Sequence, residues 1–363
     1  MSNNITNNII LNKNNKNNKN KINKIIQKWH KFGFPYVKYF INPNIMFNLL
    51  KNTTHNNFKF LHKFISYNHY QLKERFNIPK NIDIRFRNQY ISIFIPLEDF
   101  TNMDLLVDYF TENSRIKAKL RPSNKSLYNH YTNGDLIQKS ILKLIDDQKP
   151  INIKNIRDVF YEFKYIYNAS PESTLFYLTM LSIIFNFKSD LSNLIIIDGA
   201  GGYGTRLLTS IILNCNYIGV EPNTMSYSGF NNMINDFGNI NKQKMLLDGL
   251  PYAKDIIFLP DLYSDIIMFS PPLFDGEIYS NNDKQSIKMF PSFNDWKYNF
   301  LFKSINLLWS KLKINGFAIF QSMRYDYINE FMLTLPNAKF IGVISRKTYA
   351  GRFKPNWIWT KIF

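Results

Sequence analysis

From Asp198 to Gly204 the chain reads Asp-Gly-Ala-Gly-Gly-Tyr-Gly, an acid followed by a cluster of glycines. Glycines at this density accept left-handed turn conformations and let backbone N–H groups approach a ligand that a Cβ would hold off. Two templates fit. As G-x-G-x-x-G the turn uses Gly199, Gly201 and Gly204, the dinucleotide fingerprint. As D-x-A-x-G-x-G it uses Asp198, Ala200, Gly202 and Gly204. Glu221 ends a second apolar run, Tyr-Ile-Gly-Val, a short way downstream. A carboxylate at that place can accept both hydroxyls of a ribose. Together these residues call for a nucleotide-like ligand.

The elements that must carry these residues follow from pattern. Leu194-Ile195-Ile196-Ile197 is an uninterrupted apolar run that suits a parallel strand buried on both faces, with Asp198 at its carboxyl end. Further strands are predicted at 217–220, 244–247, 265–269, 317–321, 339–345 and 357–363. Helices are predicted at 205–213, 226–236, 293–312 and 326–334. Strand–helix alternation argues for an α/β, Rossmann-like fold: a seven-stranded, mostly parallel sheet with helices on both faces. The last two strands have no helical spacer, so they should form an antiparallel C-terminal hairpin. Twelve of the 14 glycines lie beyond residue 198, in keeping with a turn-rich domain.

The turn with an acid ahead of its glycines resembles that of class I S-adenosyl-L-methionine (AdoMet)-dependent methyltransferases, which also end on an antiparallel hairpin. The resemblance covers roughly residues 190–363. It implies AdoMet as cofactor, with Asp198, Gly199, Ala200, Gly202, Gly204 and Glu221 around it. Asp248, at the end of the third strand, stands where similar enzymes contact the adenine amino group; an ordinary turn residue at a strand end would look the same. Arg206 could reach the cofactor's carboxylate or cap a neighbouring acid. Tyr109-Phe110-Thr111 resembles the segment that nucleic-acid methyltransferases place over the methionine end.

The fourth strand of this domain ends in Ser270-Pro271-Pro272-Leu273. This resembles the (Asp/Asn/Ser)-Pro-Pro-(Tyr/Phe/Trp) signature of amino-methyltransferases acting on adenine-N6, cytosine-N4 or glutamine amides. The nitrogen of a conjugated amine is a poor nucleophile because its lone pair is delocalised. The Ser270 side chain and the Pro271 carbonyl can each accept one N–H and draw the nitrogen towards tetrahedral geometry. The two prolines restrict the backbone so that this carbonyl faces the substrate. Leu273 departs from the pattern, because an aromatic ring there would stack on a flipped base; Phe274 could supply it. The polar stretch after the motif, with Asp275, Glu277, Tyr279 and Gln285, is placed to read substrate.

The net charge of +18 is concentrated at the front: residues 1–100 hold sixteen Lys/Arg against four Asp/Glu. A polyanionic partner, DNA or RNA, fits that balance. Arg115, Lys117, Lys119, Arg121 and Lys125 could form an exposed phosphate-facing strip, a solvated loop being the more cautious reading, and Arg346, Lys347, Arg352 and Lys354 a second basic group on the C-terminal hairpin. Residues 1–21 read as a disordered Asn/Lys-rich tail. Residues 22–187 read as a basic, aromatic-rich helical region with a β-hairpin over 82–96, and residues 188–363 as the cofactor-binding domain. Helices are expected at 135–148 and 155–187, the last with Pro171 and Glu172 in an N-terminal first turn. A single cysteine excludes an intramolecular disulfide and fits a reducing, intracellular compartment; it also leaves no zinc cluster of usual spacing. No membrane span is expected, and oligomeric state is open. The function implied is methyl transfer to an exocyclic base amine. The alternatives are a protein-glutamine or small-amine methyltransferase, and a non-catalytic nucleic-acid-binding subunit on a degenerate fold.

Overall fold

The computed structural model describes residues 16–57, 85–86, 89–90, 92–95, 105–119, 124–132, 135–163, 166, 169, 172–185, 190–274, 276–280, 282–321, 325–347 and 353–363. Its centre is one sheet. Strands β4 (Ile195–Asp198), β5 (Asn216–Val220), β6 (Gln243–Leu246), β7 (Ser264–Phe269) and β8 (Leu312–Gln321) run parallel. β9 (Ala338–Lys347) and β10 (Phe353–Lys361) form the expected hairpin, with β10 antiparallel to both β9 and β8. This is the Rossmann-like α/β architecture.

An eighth strand joins that was expected elsewhere. Within the 82–96 segment the described residues form a short hairpin, β1 (Arg85–Phe86) with β2 (Gln89–Tyr90). β3 (Ser92–Ile95) then pairs in parallel with β9, giving the order β3-β9-β10-β8-β7-β4-β5-β6. Pairing it there satisfies backbone groups that an open sheet edge would leave exposed.

Side chains alternate strictly between the two faces of the sheet. Ile196, Ile266, Met268 and Ile319 enter one core, and Ile197, Ile267, Phe269 and Phe320 the other. Both faces are therefore dry, which is why the strands read as continuous apolar runs. Among the described residues no helix is long and apolar enough to cross a membrane.

A third core lies in the N-terminal region, where Ile25 and Trp29 of α1 (Lys16–Phe32) meet residues of α4 (Leu127–Thr132), α5 (Asp135–Asp146) and α6 (Ile153–Glu162). α1 takes in residues 16–21, which the tail was expected to include; the rest of that tail and residues 58–76 lie outside the described residues. α2 (Pro43–Asn57) and α3 (Leu105–Arg115) come between. The expected 155–187 helix is two, α6 and α7 (Thr174–Ile184). Ser173 caps α7 by accepting from Phe176 N–H, so Glu172 precedes the helix and does not open it. Every residue of α7 is buried, and its apolar residues belong to the first sheet core. Ile116 belongs to the third core, but Leu106 and Val107 of α3 belong to that same first core. The sheet domain thus recruits elements well ahead of the expected boundary at residue 188.

Candidate active site

β5 and β6 extend the sheet on one side of β4, while β7 lies on the other. Strand order therefore reverses between β4 and β7, and open α/β sheets bind ligands beyond the carboxyl ends of strands at such a point. The glycine turn leaves β4 there, and Ser-Pro-Pro leaves β7. Gly199 N–H donates to the Met268 carbonyl at 2.8 Å and ties the two strand ends together. A cavity of about 720 Å³ opens over them, within the range of small-molecule sites.

The turn is shaped from beneath. Asp198 is fully buried; its carboxylate accepts from Ala200 N–H at 3.1 Å, Arg206 Nε at 2.7 Å and the Tyr217 hydroxyl at 2.7 Å. Arg206 also donates to the Ala200 carbonyl and, at 3.1 Å, to the Tyr177 hydroxyl. Arg206 caps the acid, one of its two expected roles, and it also lines the cavity. Gly202 (φ 59°) and Gly204 (φ 93°) adopt left-handed conformations, and Gly204 is the N-cap of α8 (Thr205–Ile212). Gly199, Ala200 and Gly202 line the cavity; Asp198 lies behind them.

Glu221 faces the turn from the end of β5. Its two oxygens accept from Gly202 N–H (2.9 Å) and Asn223 N–H (3.0 Å). Burial pushes its pKa up to about 7 against the lowering effect of those two bonds. Each carboxylate oxygen keeps acceptor capacity for a further donor. Asp248, by contrast, is not among the cavity-lining residues; it accepts from Gly249 N–H and Lys284 Nζ, each at 2.9 Å, and Lys284 reaches the cavity.

Ser270, Pro271, Pro272 and Leu273 all line the cavity, with Leu273 41% exposed. Phe274 does not. Its ring packs on Phe293 (5.8 Å between centroids) and Trp296 (6.1 Å), because the second core offers it an aromatic pocket. The expected stacking role therefore does not fall to Phe274. Glu277 and Tyr279 line the cavity, and the Tyr279 hydroxyl donates to Glu277. Tyr203, also on the wall, meets Tyr279 edge-to-face at 6.3 Å.

The expected basic strip divides. Arg115 is 2% exposed: it forms paired bonds of 2.7 Å with Asp108 and also binds the Ala169 carbonyl and the Tyr161 hydroxyl. Arg157 completes the cluster with Asp108 (2.6 Å) and Glu112 (2.8 Å). Two acids and two arginines balance, so Arg115 is an internal ion-pair partner and not a phosphate contact. The Lys117 ammonium sits 5.5 Å from the Tyr128 ring centroid. Lys119 exchanges backbone hydrogen bonds with Ile278, which clamps the N-terminal region onto the segment after Ser-Pro-Pro. In β9, Arg346 stands in register with Ile95 and Lys354. Arg121, Asp275 and Arg352 lie outside the described residues.

The Thr111 hydroxyl lies 2.9 Å from the Tyr203 carbonyl, so the Tyr109–Thr111 segment rests on the glycine turn. Among the wall residues that local sequence did not single out are Glu172, Gln321 and Lys284. Glu172 pairs with Lys354 at 3.1 Å across the far wall, a contact joining distant segments that leaves no local signal. Gln321 was findable, as a polar residue at the carboxyl end of a parallel strand.

No protein-family model matches the chain, and no curated protein does. Solved structures similar to it include an rRNA methylase from Streptococcus thermophilus (12% identity, 47% of this chain and 89% of that one, TM-score 0.35). TrmN from Thermus thermophilus matches at 13% identity and a TM-score of 0.33, and precorrin-6y C5,15-methyltransferase from Geobacter metallireducens at 14% and 0.31. Each covers 47% of this chain; the match spans 44% of the TrmN chain and 82% of the precorrin enzyme. At such identities and scores, the functional reading rests on the chain's own geometry.

Proposed function

We propose that the protein is an AdoMet-dependent methyltransferase acting on an exocyclic amino group of a base in DNA or RNA. One observation carries this reading: Ser270-Pro271-Pro272 and Glu221 line a single cavity at the strand-order reversal. The cavity fits the cofactor's chemistry. Glu221 retains acceptor capacity for ribose hydroxyls, the Gly199–Gly202 backbone lies against the same space, and Asp198 with Arg206 holds that backbone in shape. When bound, AdoMet supplies an electrophilic methyl on a sulfonium.

The chain's own part is to bind and orient. Ser270 Oγ and the Pro271 carbonyl accept the two amino hydrogens, directing the nitrogen's lone pair towards the methyl-donor side of the cavity. Positioning of this kind can supply much of the rate enhancement without a strong base. Net charge of +18 favours a polyanionic substrate. Arg346 of β9 and Arg352, with Lys117, are the proposed phosphate contacts, and Leu273, Glu277 and Tyr279 the proposed base contacts.

Labelled methyl transfer from AdoMet to separate DNA, RNA and protein pools, followed by nucleoside analysis, tests this. Label in a base-amine nucleoside is the expected result; AdoMet binding with no transfer to DNA or RNA would overturn it. A protein-glutamine substrate is the second reading, favoured by Leu273, which offers no ring for a base to stack on. Label in protein alone would establish it.

A further inference from the structure

Beside Ser270 stands an amide whose orientation is dictated from behind the glycine turn. Phe269 of β7 is in register with Phe320 of β8, so Ser270 and Gln321 leave neighbouring strand ends, and both line the cavity. Arg206, held by Asp198, donates through Nη1 to the Tyr177 hydroxyl at 3.1 Å. A guanidinium has donors only, so the Tyr177 oxygen must accept that bond and its own proton points elsewhere. Gln321 Oε1 lies 3.4 Å from this hydroxyl, a long contact, and takes the proton. Burial pushes the Tyr177 phenol up to about 12, so the proton stays in place at neutral pH. Nε2 of Gln321 consequently carries its hydrogens away from Tyr177.

That Nε2 is buried and has no partner among the described residues. Asn356 stands opposite Gln321 in β10 with its Oδ1 likewise unpartnered, and the two amides do not bond each other. A buried donor left unpaired is destabilising, a cost that an acceptor on a bound substrate would recover.

We propose that Gln321 is a specificity residue: Nε2 donates to the ring nitrogen adjacent to the amino group held by Ser270 and Pro271. The substrate edge so recognised is an amidine, the N1–N6 edge of adenine or the N3–N4 edge of cytosine. An alkyl amine offers no such acceptor. Tyr177 acts through Gln321 and is a positioning residue. The inference rests on the amino-methyltransferase reading.

The test uses the full chain with AdoMet and oligonucleotides carrying either the natural target base or its 1-deazaadenine or 3-deazacytosine analogue. The analogue keeps the amino group and replaces the ring nitrogen with C–H. Gln321→Ala and the near-isosteric Gln321→Glu should each lower kcat/KM on the natural base about tenfold, with AdoMet affinity unchanged. On the deaza base the wild type should already be reduced to a similar extent, and neither substitution should reduce it further. Tyr177→Phe should show the same non-additivity with a smaller loss. Equal fold-losses on both bases, or none on the natural base, overturn the role of Gln321 alone. Asn356→Ala abolishing the discrimination as fully as Gln321→Ala would also overturn it, by marking the two amides as a structural pair. Absence of any base methylation by the wild type removes the parent reading and this inference together.

Discussion

Arg206 and Asp198 form a buried ion pair at 2.7 Å directly beneath the glycine turn, with side chains 7% and 0% exposed. The pair joins the first turn of α8 to the end of β4 and thereby sets the path of the residues between. Its energetic signature differs from that of a ligand contact. Removing one partner of a buried pair strands the other's charge and costs about 3–5 kcal/mol. Arg206→Met should therefore lower the urea midpoint markedly in the absence of any ligand. An unchanged midpoint with weakened AdoMet binding would instead make Arg206 a ligand contact.

Glu221 gives a pH dependence with a definite sign. Its ionised form accepts ligand hydroxyls, and its pKa is raised to about 7. AdoMet affinity should fall as pH drops below about 7, approaching tenfold per pH unit, and level off above it. For stability the sign is opposite. A raised carboxyl pKa contributes stability that is present below the usual carboxylate range and lost as pH rises to about 7. Glu221→Gln should flatten both profiles, read by calorimetry and by denaturation across pH.

Ser270→Ala should abolish most turnover while leaving cofactor affinity near wild type, because Ser270 handles the amino group and not the nucleoside. Equilibrium binding measured beside methyl transfer separates the two. Parallel loss of both would show that the turn's role is structural.

Arg115→Met distinguishes an interior ion-pair partner from a phosphate contact. The bonds to Asp108 predict a stability loss of about 3–5 kcal/mol. A phosphate contact would instead reduce the salt dependence of nucleic-acid binding by nearly one unit of slope, with stability intact. Denaturation curves and a salt titration of binding decide between them.

Gly229 of α9 (Thr224–Phe237) lies against α3: a Cβ there would come within 2.4 Å of the Phe110 carbonyl oxygen. Gly229→Ala should push α3 off the glycine turn, disturbing the Thr111 contact with Tyr203. Destabilisation of about 1–3 kcal/mol, typical of overpacking, is expected, together with weaker AdoMet binding. A fully stable variant with native affinity would show that α3 does not brace the turn.

The features legible in the sequence are those with short-range causes. An apolar run such as Leu194–Ile197 declares a strand dry on both faces, and the residues that interrupt it, Asp198 with its glycines or Ser270 with its prolines, mark its carboxyl end. Sheet class, the terminal hairpin and the residues at the strand ends follow from that alone. Tertiary structure decided what depends on partners distant in the chain. Arg115 and Lys117 look alike in sequence, yet Arg115 is interior because Asp108 and Glu112 balance its charge together with that of Arg157 from α6. Phe274 turned away from the cavity because Phe293 and Trp296 wait on the other side, and β3 crossed to β9 because that edge was open to pairing. Burial of a charge or a ring is settled by what long-range packing brings to meet it, and no local pattern carries that information.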